Sequence, residues 1–217
     1  MKPYDTEQDK KEQVREMFDR IAPAYDRLNH TLSFQIDKLW RRHVVRIVRR
    51  MQPRRILDVA TGTGDLALAM ARRMRGVQVL GVDLSENMLA EARRKATACG
   101  LDERVVLSLG DAERLEVADA SVDVVTVAFG VRNFGDLGAG LREIARVLKP
   151  GGTLLICNES NGDTDKDKKW TEIIGGMTIY KEIELRRIWS RRAFTMCRYT
   201  KRKAGSALRR GNEGAKS

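Results

Sequence analysis

The stretch Ile56–Leu66, ILDVATGTGDL, decides the fold of this chain. Its first four residues are apolar apart from one carboxylate, Asp58, which is typical of a buried strand. Gly62 and Gly64 then permit a tight turn, because glycine has no Cβ and a ligand can lie close to the backbone. A helix-forming run follows directly at 66–71. Strand, glycine turn and helix together predict a nucleotide site at the start of the helix.

Strand and helix patterns alternate from residue 53 to residue 157. Strands are predicted at Arg55–Val59, Gln78–Asp83, Val105–Leu109, Val122–Ala128 and Thr153–Cys157. Helices are predicted near 65–75, 86–98 and 136–148, and a turn is predicted at Lys149–Gly152. This alternation predicts an α/β protein with a Rossmann-like, doubly wound, mostly parallel sheet that helices cover on both faces.

Two helices with a linker are predicted in the N-terminal region. Periodic apolar residues indicate a helix over Glu12–Ile21 that ends at Pro23, and a second helix over Ile36–Val48. The linker Ala24–Phe34 is rich in polar side chains, and it is interpreted either as an ordinary helix connection or as a lid over the glycine turn. We therefore divide the chain into an N-terminal helical lid (1–52), a core (53–188) and a basic tail (189–217).

Length and charge restrict the class of protein. A chain of 217 residues with 42% hydrophobic residues is expected to form one domain with appendages. The net charge is +11, but residues 186–217 contain eleven Lys or Arg and one acid, so the sequence assigns the basicity to the tail. This composition predicts a disordered tail. An alternative function is that of a non-catalytic or nucleic-acid-associated protein that uses this tail, although no specific nucleic acid is expected.

Location and redox state are also predicted from composition. The sequence contains neither a long apolar run nor a signal-peptide pattern, so a cytoplasmic protein is expected. The cysteines Cys99, Cys157 and Cys197 are scattered, which predicts reduced thiols and no metal site.

Carboxylates near the predicted strand ends indicate the ligand. Asp83 closes the second strand 19 positions after Gly64, where a carboxylate can accept the ribose hydroxyls of a nucleotide. Asp111 follows the third strand and can accept from an adenine amino group. Nicotinamide dehydrogenases share the glycine turn and the acid, but Asp58 and Asp65 would repel a pyrophosphate and favour a positively charged ligand.

Two patterns resemble class I methyltransferases. They are D-x-A-T-G-T-G-D at 58–65 and L-K-P-G-G-T at 148–153, which resemble the S-adenosyl-L-methionine site and a later turn of that class. The positively charged sulfonium of S-adenosylmethionine suits nearby acids. This resemblance implies S-adenosylmethionine as the cofactor.

Residues 12–152 resemble the quinone C-methyltransferase family more closely. The specific blocks are Met17–Asp26, which reads MFDRIAPAYD, and Phe129–Asn133, which reads FGVRN. Gln35 stands where the family usually has glycine after Ser-Phe. The resemblance implies methyl transfer from S-adenosylmethionine to a ring carbon of a demethylated menaquinol or related quinol, a small-molecule substrate reached at the membrane surface.

The resemblance also implies which residues form the site. Cofactor contacts are implied at Thr63, Asp83, Asp111 and Ala112, beside the glycine turn with Asp58, Gly62 and Gly64. A quinol pocket is implied between the linker residues Tyr25–Asn29 and Arg132–Asn133. Arg132 can stabilise a phenolate, whereas Tyr25, Asp26 and His30 are all candidate proton acceptors, and the sequence does not select one.

The resemblance to that family ends after Cys157. Residues 156–180 are similar to other small class I methyltransferases, so an acceptor other than a quinol is an alternative. The Ala-Gly-Phe and Trp-Leu-Cys patterns that follow in that group are absent here. One nucleotide lost after the codon of Ile188 would remove both, and we hypothesise such a frameshift for 189–217.

Overall fold

The computed structural model describes residues 9–32, 36–158 and 194–198, and it contains the predicted alternation of strands and helices. The strands are β1 Arg55–Val59, β2 Gln78–Asp83, β3 Val105–Leu109, β4 Val122–Ala128, β5 Leu148–Asn158 and β6 Phe194–Arg198. The helices are α1 Lys10–Leu32, α2 Ile36–Arg50, α3 Asp65–Arg73, α4 Glu86–Ala98 and α5 Leu137–Val147. The predicted bounds of the first four strands are confirmed.

All six strands run parallel in the order β3-β2-β1-β4-β5-β6. The chain leaves β1 towards β2 and β3 on one side, then returns to place β4 on the other side of β1. Asp58 pairs in register with Gly81 of β2 and with Thr126 of β4. Ligands of doubly wound sheets bind beyond the carboxyl ends of the strands at such a reversal, so β1 and β4 define the position of the site.

Buried side chains form one core on each face of the sheet. Ile56 packs with α2, α3 and α4 on one face, whereas Leu57 packs with α5 on the other. Adjacent residues of a strand point to opposite faces, so a strand buried on both faces is apolar at nearly every position. The predicted doubly wound α/β fold is confirmed.

Helix α2 belongs to one of these cores. Val44, Val45 and Val48 of α2 are buried in the same cluster as Ile56 and the apolar side of α3. The predicted lid of residues 1–52 therefore contains one helix, α2, that packs against a face of the sheet together with α3. The division at residues 52 and 188 stays a prediction.

Helix α1 is longer than the sequence predicts. We expected a helix that ends before Pro23 and a linker over Ala24–Phe34, but α1 continues through Pro23 to Leu32. Proline inside a helix removes one backbone hydrogen bond and costs about 3 kcal/mol. The Pro23 ring is exposed, and polar contacts of α1 with the rest of the protein, given below, offset this cost.

The predicted turn at Lys149–Gly152 is an irregularity inside β5. Leu148 pairs with Val122, and the next regular pair joins Thr153 to Val124, so β5 carries extra residues between the two pairs. Gly151 has a φ of 78°, which glycine adopts readily. The strand therefore begins five residues earlier than predicted, because the chain bulges without leaving the sheet.

The tail prediction differs from the structure at Phe194–Arg198. These residues form β6, which pairs with β5 from Leu154 to Asn158. The backbone groups at the edge of β5 need hydrogen-bonding partners, and the segment Phe-Thr-Met-Cys has high β-propensity. The structure does not describe residues 159–193 or 199–217. These ranges include most of 189–217, to which the frameshift hypothesis applies, and most of 156–180, which suggested the alternative acceptor.

Among the helices that the structure describes, none combines the length and apolar character needed to cross a bilayer.

Candidate active site

The glycine turn after β1 has the left-handed geometry that its sequence predicts. The φ angles of Gly62 and Gly64 are 55° and 76°. A Cβ on Gly64 would lie 2.9 Å from Cβ of Ala92, so the missing side chain lets α3 begin against α4. A Cβ on Gly62 would meet nothing within 4 Å, so open space adjoins the backbone at this turn. Ala60, just before the turn, also has a positive φ of 55°.

Asp58 lies beneath this turn as a buried carboxylate that is 2% exposed. Its oxygens accept hydrogen bonds from the hydroxyl of Thr61 at 2.7 Å and from the hydroxyl of Thr126. Burial raises the pKa of Asp58 to about 6, although the two hydroxyls favour the ionised form and lower it. Asp58 therefore supports the turn from below through two hydroxyl contacts.

Asp83 connects the end of β2 to the same turn. One of its oxygens accepts from the backbone N–H of Gly62 at 2.7 Å, and the other accepts from the backbone N–H of Ser85 at 3.0 Å. Burial raises the pKa of this carboxyl, while the backbone N–H groups lower it. The predicted acid at this strand end is thus placed beside the glycine turn.

Asp111 and Ala112 lie beyond the end of β3, beneath the first turn of α1. Asp111 Oδ2 accepts from Lys11 Nζ at 2.8 Å, and Asp111 Oδ1 accepts from the backbone N–H of Glu113 at 2.9 Å. Lys11 also pairs with Glu113 at 2.6 Å. Both carboxylate oxygens of Asp111, the residue that the resemblance assigns to the cofactor, therefore accept hydrogen bonds within the protein, one of them from α1.

A pocket lies between α1 and the carboxyl ends of the strands. The sheet side contributes Val59, Val82, Asp111, Ala112 and Asn133, and α1 contributes Lys11, Val14 and Phe18. Apolar walls with a few polar groups are typical of sites that bind a flat aromatic ring such as adenine.

The second half of α1 is bonded to the glycine turn. The Thr63 hydroxyl donates to Asp26 Oδ1 at 2.7 Å, and Lys95 Nζ of α4 donates to Asp26 Oδ2 at 2.9 Å. Lys95 also pairs with Asp65 at 2.6 Å, and Asp65 pairs with Arg41 of α2 at 2.8 Å. These four charged groups, which we call the α1 latch, join the four helices α1 to α4 at the turn.

Other contacts of α1 extend across the rest of the site. Asp19 accepts from the Ser85 hydroxyl at 2.5 Å at the start of α4. Lys10 Nζ donates to the backbone oxygens of Arg132 and Phe134 at 3.2 and 2.6 Å. Helix α1 therefore contacts both sides of the site, which is the position expected of a lid.

Arg132 and Asn133 lie in a 3₁₀ turn at Val131–Asn133, beyond the end of β4. The residue before this segment is Gly130, where a Cβ would lie 2.4 Å from Cβ of Ala60. The two turns at the reversal of the sheet therefore touch each other. The 3₁₀ turn that carries Arg132 and Asn133 therefore begins beside the glycine turn, and the quinol pocket implied there stays a prediction.

Aromatic rings contribute to both sides of this region. The rings of Trp40 and Phe129 meet edge to face at 4.9 Å, and Arg41 lies over the Trp40 ring at 5.6 Å. Tyr25 contacts Phe18 along α1 with ring centroids 6.1 Å apart. Such edge-to-face contacts are favourable for aromatic pairs.

The candidate proton acceptors differ in their surroundings. Asp26 already accepts two hydrogen bonds in the α1 latch, whereas Tyr25 is partly exposed. The side chains of Asn29 and His30 lie outside the described residues. The roles of these residues stay predictions.

Sequence reasoning missed the two lysines that hold α1. Lys11 and Lys95 each follow ordinary helical patterns, in which a lysine predicts a solvated position. Their carboxylate partners are 100 and 69 residues away, respectively.

The described residues contain no group of three or more His, Cys, Asp or Glu placed to hold a metal ion.

Solved structures that share this architecture include methyltransferases. A putative methyltransferase from Haloferax volcanii, solved in complex with the Trm112 methyltransferase activator, superposes with a TM-score of 0.63 at 28% identity. The match covers 79% of this chain and 74% of that one. The fold and site therefore define a class I methyltransferase.

The chain belongs to the ubiE/COQ5 methyltransferase family, which matches residues 6–169. The demethylmenaquinone methyltransferase of Bacteroides fragilis is 44% identical over 84% of this chain and 72% of its own length. The enzyme of the same name from Thermus thermophilus is 51% identical over 64% of this chain and 63% of its own length. The protein is an S-adenosylmethionine-dependent methyltransferase.

The residues present fit this cofactor. The side chains that line the pocket under α1 are largely apolar, the open space at Gly62 permits a ligand against the backbone, and the carboxylates of Asp83 and Asp111 provide hydrogen-bond acceptors. The carboxylates also favour a positively charged ligand. We expect Asp83 to hold the ribose hydroxyls and Asp111 with Ala112 to hold the base.

Proposed function

We propose that this enzyme methylates a ring carbon of a demethylated menaquinol or a related quinol. The observation that carries the proposal is the sequence identity of 44–51% to relatives named demethylmenaquinone methyltransferase. The residues that match the family, 6–169, include the candidate site. The turn at Arg132–Asn133 begins beside the glycine turn, and the aromatic rings of Trp40 and Phe129, which meet edge to face, lie in the same region.

The chemistry requires a nucleophilic ring carbon and a fixed methyl donor. S-adenosylmethionine supplies, when bound, a methyl group on a positively charged sulfur. Loss of a proton from the neighbouring quinol hydroxyl makes the ring carbon nucleophilic. The carbon–methyl bond would form as the sulfur–methyl bond breaks, with S-adenosylhomocysteine as the leaving group, and the ring carbon would then lose its own proton to restore the aromatic ring. Alignment of the two reacting atoms accounts for much of the rate in such a transfer.

We assign the residues of this chain to those requirements. Arg132 stabilises the negative oxygen of the quinolate, and Asn133 orients the ring through a hydrogen bond. Tyr25, Asp26 and His30 are the candidates that accept the hydroxyl proton. Helix α1 excludes water from the site, because its contacts extend from Lys10 to Asp26.

We further propose that the enzyme works in the cytoplasm at the surface of a membrane. A menaquinol carries an apolar isoprenoid chain, so the acceptor resides in a bilayer. The described helices do not span a bilayer, and an enzyme of this kind must therefore reach the quinol ring from the side.

Methyl transfer to a demethylmenaquinol analogue tests the proposal. The full-length wild type should form methylated product, detected by mass spectrometry, whereas Arg132→Ala should lose roughly a hundredfold in rate because one charge contact to the quinolate is removed. Arg132→Lys should recover part of the rate. Arg142→Ala is the matched control, because Arg142 is an exposed arginine with only a distant acidic partner at 3.9 Å.

Cofactor binding, measured by calorimetry, must accompany this assay. An enzyme that binds S-adenosylmethionine but does not methylate the quinol analogue contradicts the proposed acceptor. Equal loss of rate in Arg132→Ala and Arg142→Ala contradicts the role of Arg132.

A further inference from the structure

A groove lined by basic side chains runs along the outer surface between α2 and α3. The side chains of Lys38, Arg42, Arg46 and Arg49 line it from α2, and Arg72 and Arg73 line it from α3. The α2 residues recur at spacings of three or four, so they share one side of the helix. The sequence assigns the basicity to the tail, but the structure shows that the nearly neutral body also concentrates positive charge in this groove.

Three of the arginines that line the groove have no acidic partner among the described residues. Within the described part of the chain, Arg42, Arg46 and Arg49 have no hydrogen bond or ion pair, and all three are exposed. The lining side chains that are not basic are those of Val45 and Ala69, which are apolar. A concave surface with one sign of charge concentrates the electrostatic potential and attracts anions.

The groove begins beside the active site. Arg41 also lines the groove and pairs with Asp65 at the start of α3, within the α1 latch. The neighbouring residue, Trp40, contacts Phe129 next to the 3₁₀ turn of Arg132. A ligand in the groove would therefore lie along the same helix that borders the expected quinol pocket.

The lining residues favour phosphate groups as the ligand. Six of the seven basic side chains that line the groove are arginines, and guanidinium groups bind phosphate oxygens in pairs of hydrogen bonds. Single-stranded nucleic acid usually needs aromatic side chains on which its bases stack, and the described residues that line this groove include none. Phosphates of an anionic lipid surface need no such platform.

We propose that the groove between α2 and α3 binds the phosphate headgroups of anionic phospholipids and holds the active-site opening against the membrane that contains the quinol. The proposal rests on the proposed function for the identity of the acceptor as a lipid. The groove itself is defined by Lys38, Arg42, Arg46, Arg49, Arg72 and Arg73, none of which is assigned a part in methyl transfer.

Vesicle binding by the full-length protein tests this surface. The probe is vesicles of equal parts phosphatidylglycerol and phosphatidylcholine, compared with vesicles of phosphatidylcholine alone. We compare the wild type with Arg42→Gln/Arg46→Gln/Arg49→Gln, and the matched control is Arg20→Gln/Arg114→Gln/Arg142→Gln, which removes the same charge from exposed positions elsewhere.

The wild type should bind the anionic vesicles and not the neutral ones, and added salt should weaken binding. Each basic residue near an anionic surface changes the partition coefficient by roughly fivefold, so the groove variant should bind about a hundredfold more weakly. The control variant should bind within a fewfold of the wild type. The single variant Arg46→Gln should lose about fivefold, which tests the groove with the smallest change to α2.

Several results would overturn the proposal. Equal binding of the groove variant and the wild type would place the lipid contact elsewhere, for example in the basic tail. Binding of a single-stranded RNA through the same arginines without vesicle binding would assign the groove to nucleic acid. Binding of inorganic phosphate without vesicle binding would assign it to a free anion.

A second assay separates this inference from the proposed function. With a short-chain, water-soluble quinol the groove variant should methylate at the rate of the wild type, whereas with a long-chain quinol in anionic vesicles its rate should fall at least tenfold. If no variant methylates the soluble quinol, the proposed acceptor fails while the vesicle result still stands. If the groove variant loses the same factor with both acceptors, the membrane role of the groove is refuted.

Discussion

The hydroxyl of Thr63 donates a 2.7 Å hydrogen bond to Asp26, which lies 37 residues earlier in the chain. Thr63 belongs to the glycine turn and Asp26 to α1, so this bond joins α1 to the glycine turn. Lys95 strengthens the same contact through its ion pair with Asp26. The position of α1 is thus coupled to the residues that border the cofactor.

The α1 latch predicts a measurable coupling between Asp26 and Lys95. Asp26→Asn should destabilise the protein by about 1 kcal/mol and increase hydrogen exchange in the second half of α1, because the partly buried pair is lost. A double-mutant cycle with Lys95→Met should give a coupling free energy on the order of 1 kcal/mol. Urea unfolding and exchange by mass spectrometry measure these two quantities.

Glu16→Gln is the control for the latch, because the partner of Glu16 on the same helix is an exposed arginine 3.9 Å away. Such a surface pair contributes little to stability. Additive effects of Asp26→Asn and Lys95→Met would show that the pair does not hold α1.

Asp83 predicts a selective loss of cofactor affinity. Asp83→Ala removes the carboxylate that accepts from Gly62 and that we expect to bind the ribose, so S-adenosylmethionine should bind at least a hundredfold more weakly. Calorimetric titration measures this affinity. Asp102→Ala provides a control at an exposed aspartate after α4, and an equal loss there would mean that the effect is not specific to the site.

Because Asp58 is buried and its pKa is raised, we expect its contribution to the stability of the protein to fall as the pH rises. The pKa of about 6 in the folded protein lies above that of an unfolded aspartate, near 3.9, so the folded state binds the proton more tightly. The stabilising contribution is therefore complete below about pH 4 and is lost as the pH rises through 6. Between these limits the wild type should lose on the order of 3 kcal/mol relative to Asp58→Asn.

Urea unfolding of both proteins across this pH range measures the difference. The carboxylates that do not interact with Asp58 titrate in the same way in both proteins, so their contributions cancel when the two free energies of unfolding are subtracted. A difference that does not change between about pH 4 and 7 would show that burial does not raise the pKa of Asp58.

The contact between Gly130 and Ala60 predicts a rescue. Gly130→Ala places a Cβ 2.4 Å from Cβ of Ala60, so one turn must shift, with an expected loss of about 1–3 kcal/mol. Ala60→Gly removes the opposing Cβ and also relieves the positive φ of Ala60. The double variant should therefore regain most of the stability lost in Gly130→Ala.

Thermal unfolding of the two single variants and the double variant tests this prediction. Gly100→Ala is a useful comparison, because it carries the cost of a positive φ without any atom near the new Cβ. A double variant as unstable as Gly130→Ala would show that the two turns do not depend on each other.

Local sequence patterns were sufficient for the sheet and the turn. Strands such as β1 contain mainly apolar residues, because they are buried on both faces, and this pattern predicts them without knowledge of their neighbours. Gly62 and Gly64 indicate a left-handed turn, because other residues adopt that backbone at a cost. Acids at strand ends, including Asp83, then indicate the position of a ligand.

Contacts between distant segments account for what the sequence did not predict. Local rules end the first helix at Pro23, but α1 continues because Asp26 finds Thr63 and Lys95 across the site. The placement of β6 depends on the free edge of β5, which no pattern within Phe194–Arg198 reveals.

The sequence by itself determined the doubly wound sheet and the glycine turn, because hydrophobic periodicity and glycine chemistry act over a few residues. The class of cofactor came from the resemblance of its motifs to those of class I methyltransferases. Only the tertiary structure decided that α1 closes over the turn and that the basic residues of α2 and α3 share one groove. Those features depend on pairs of side chains that are far apart in the chain. Their attraction exists only after the sheet has brought the helices together.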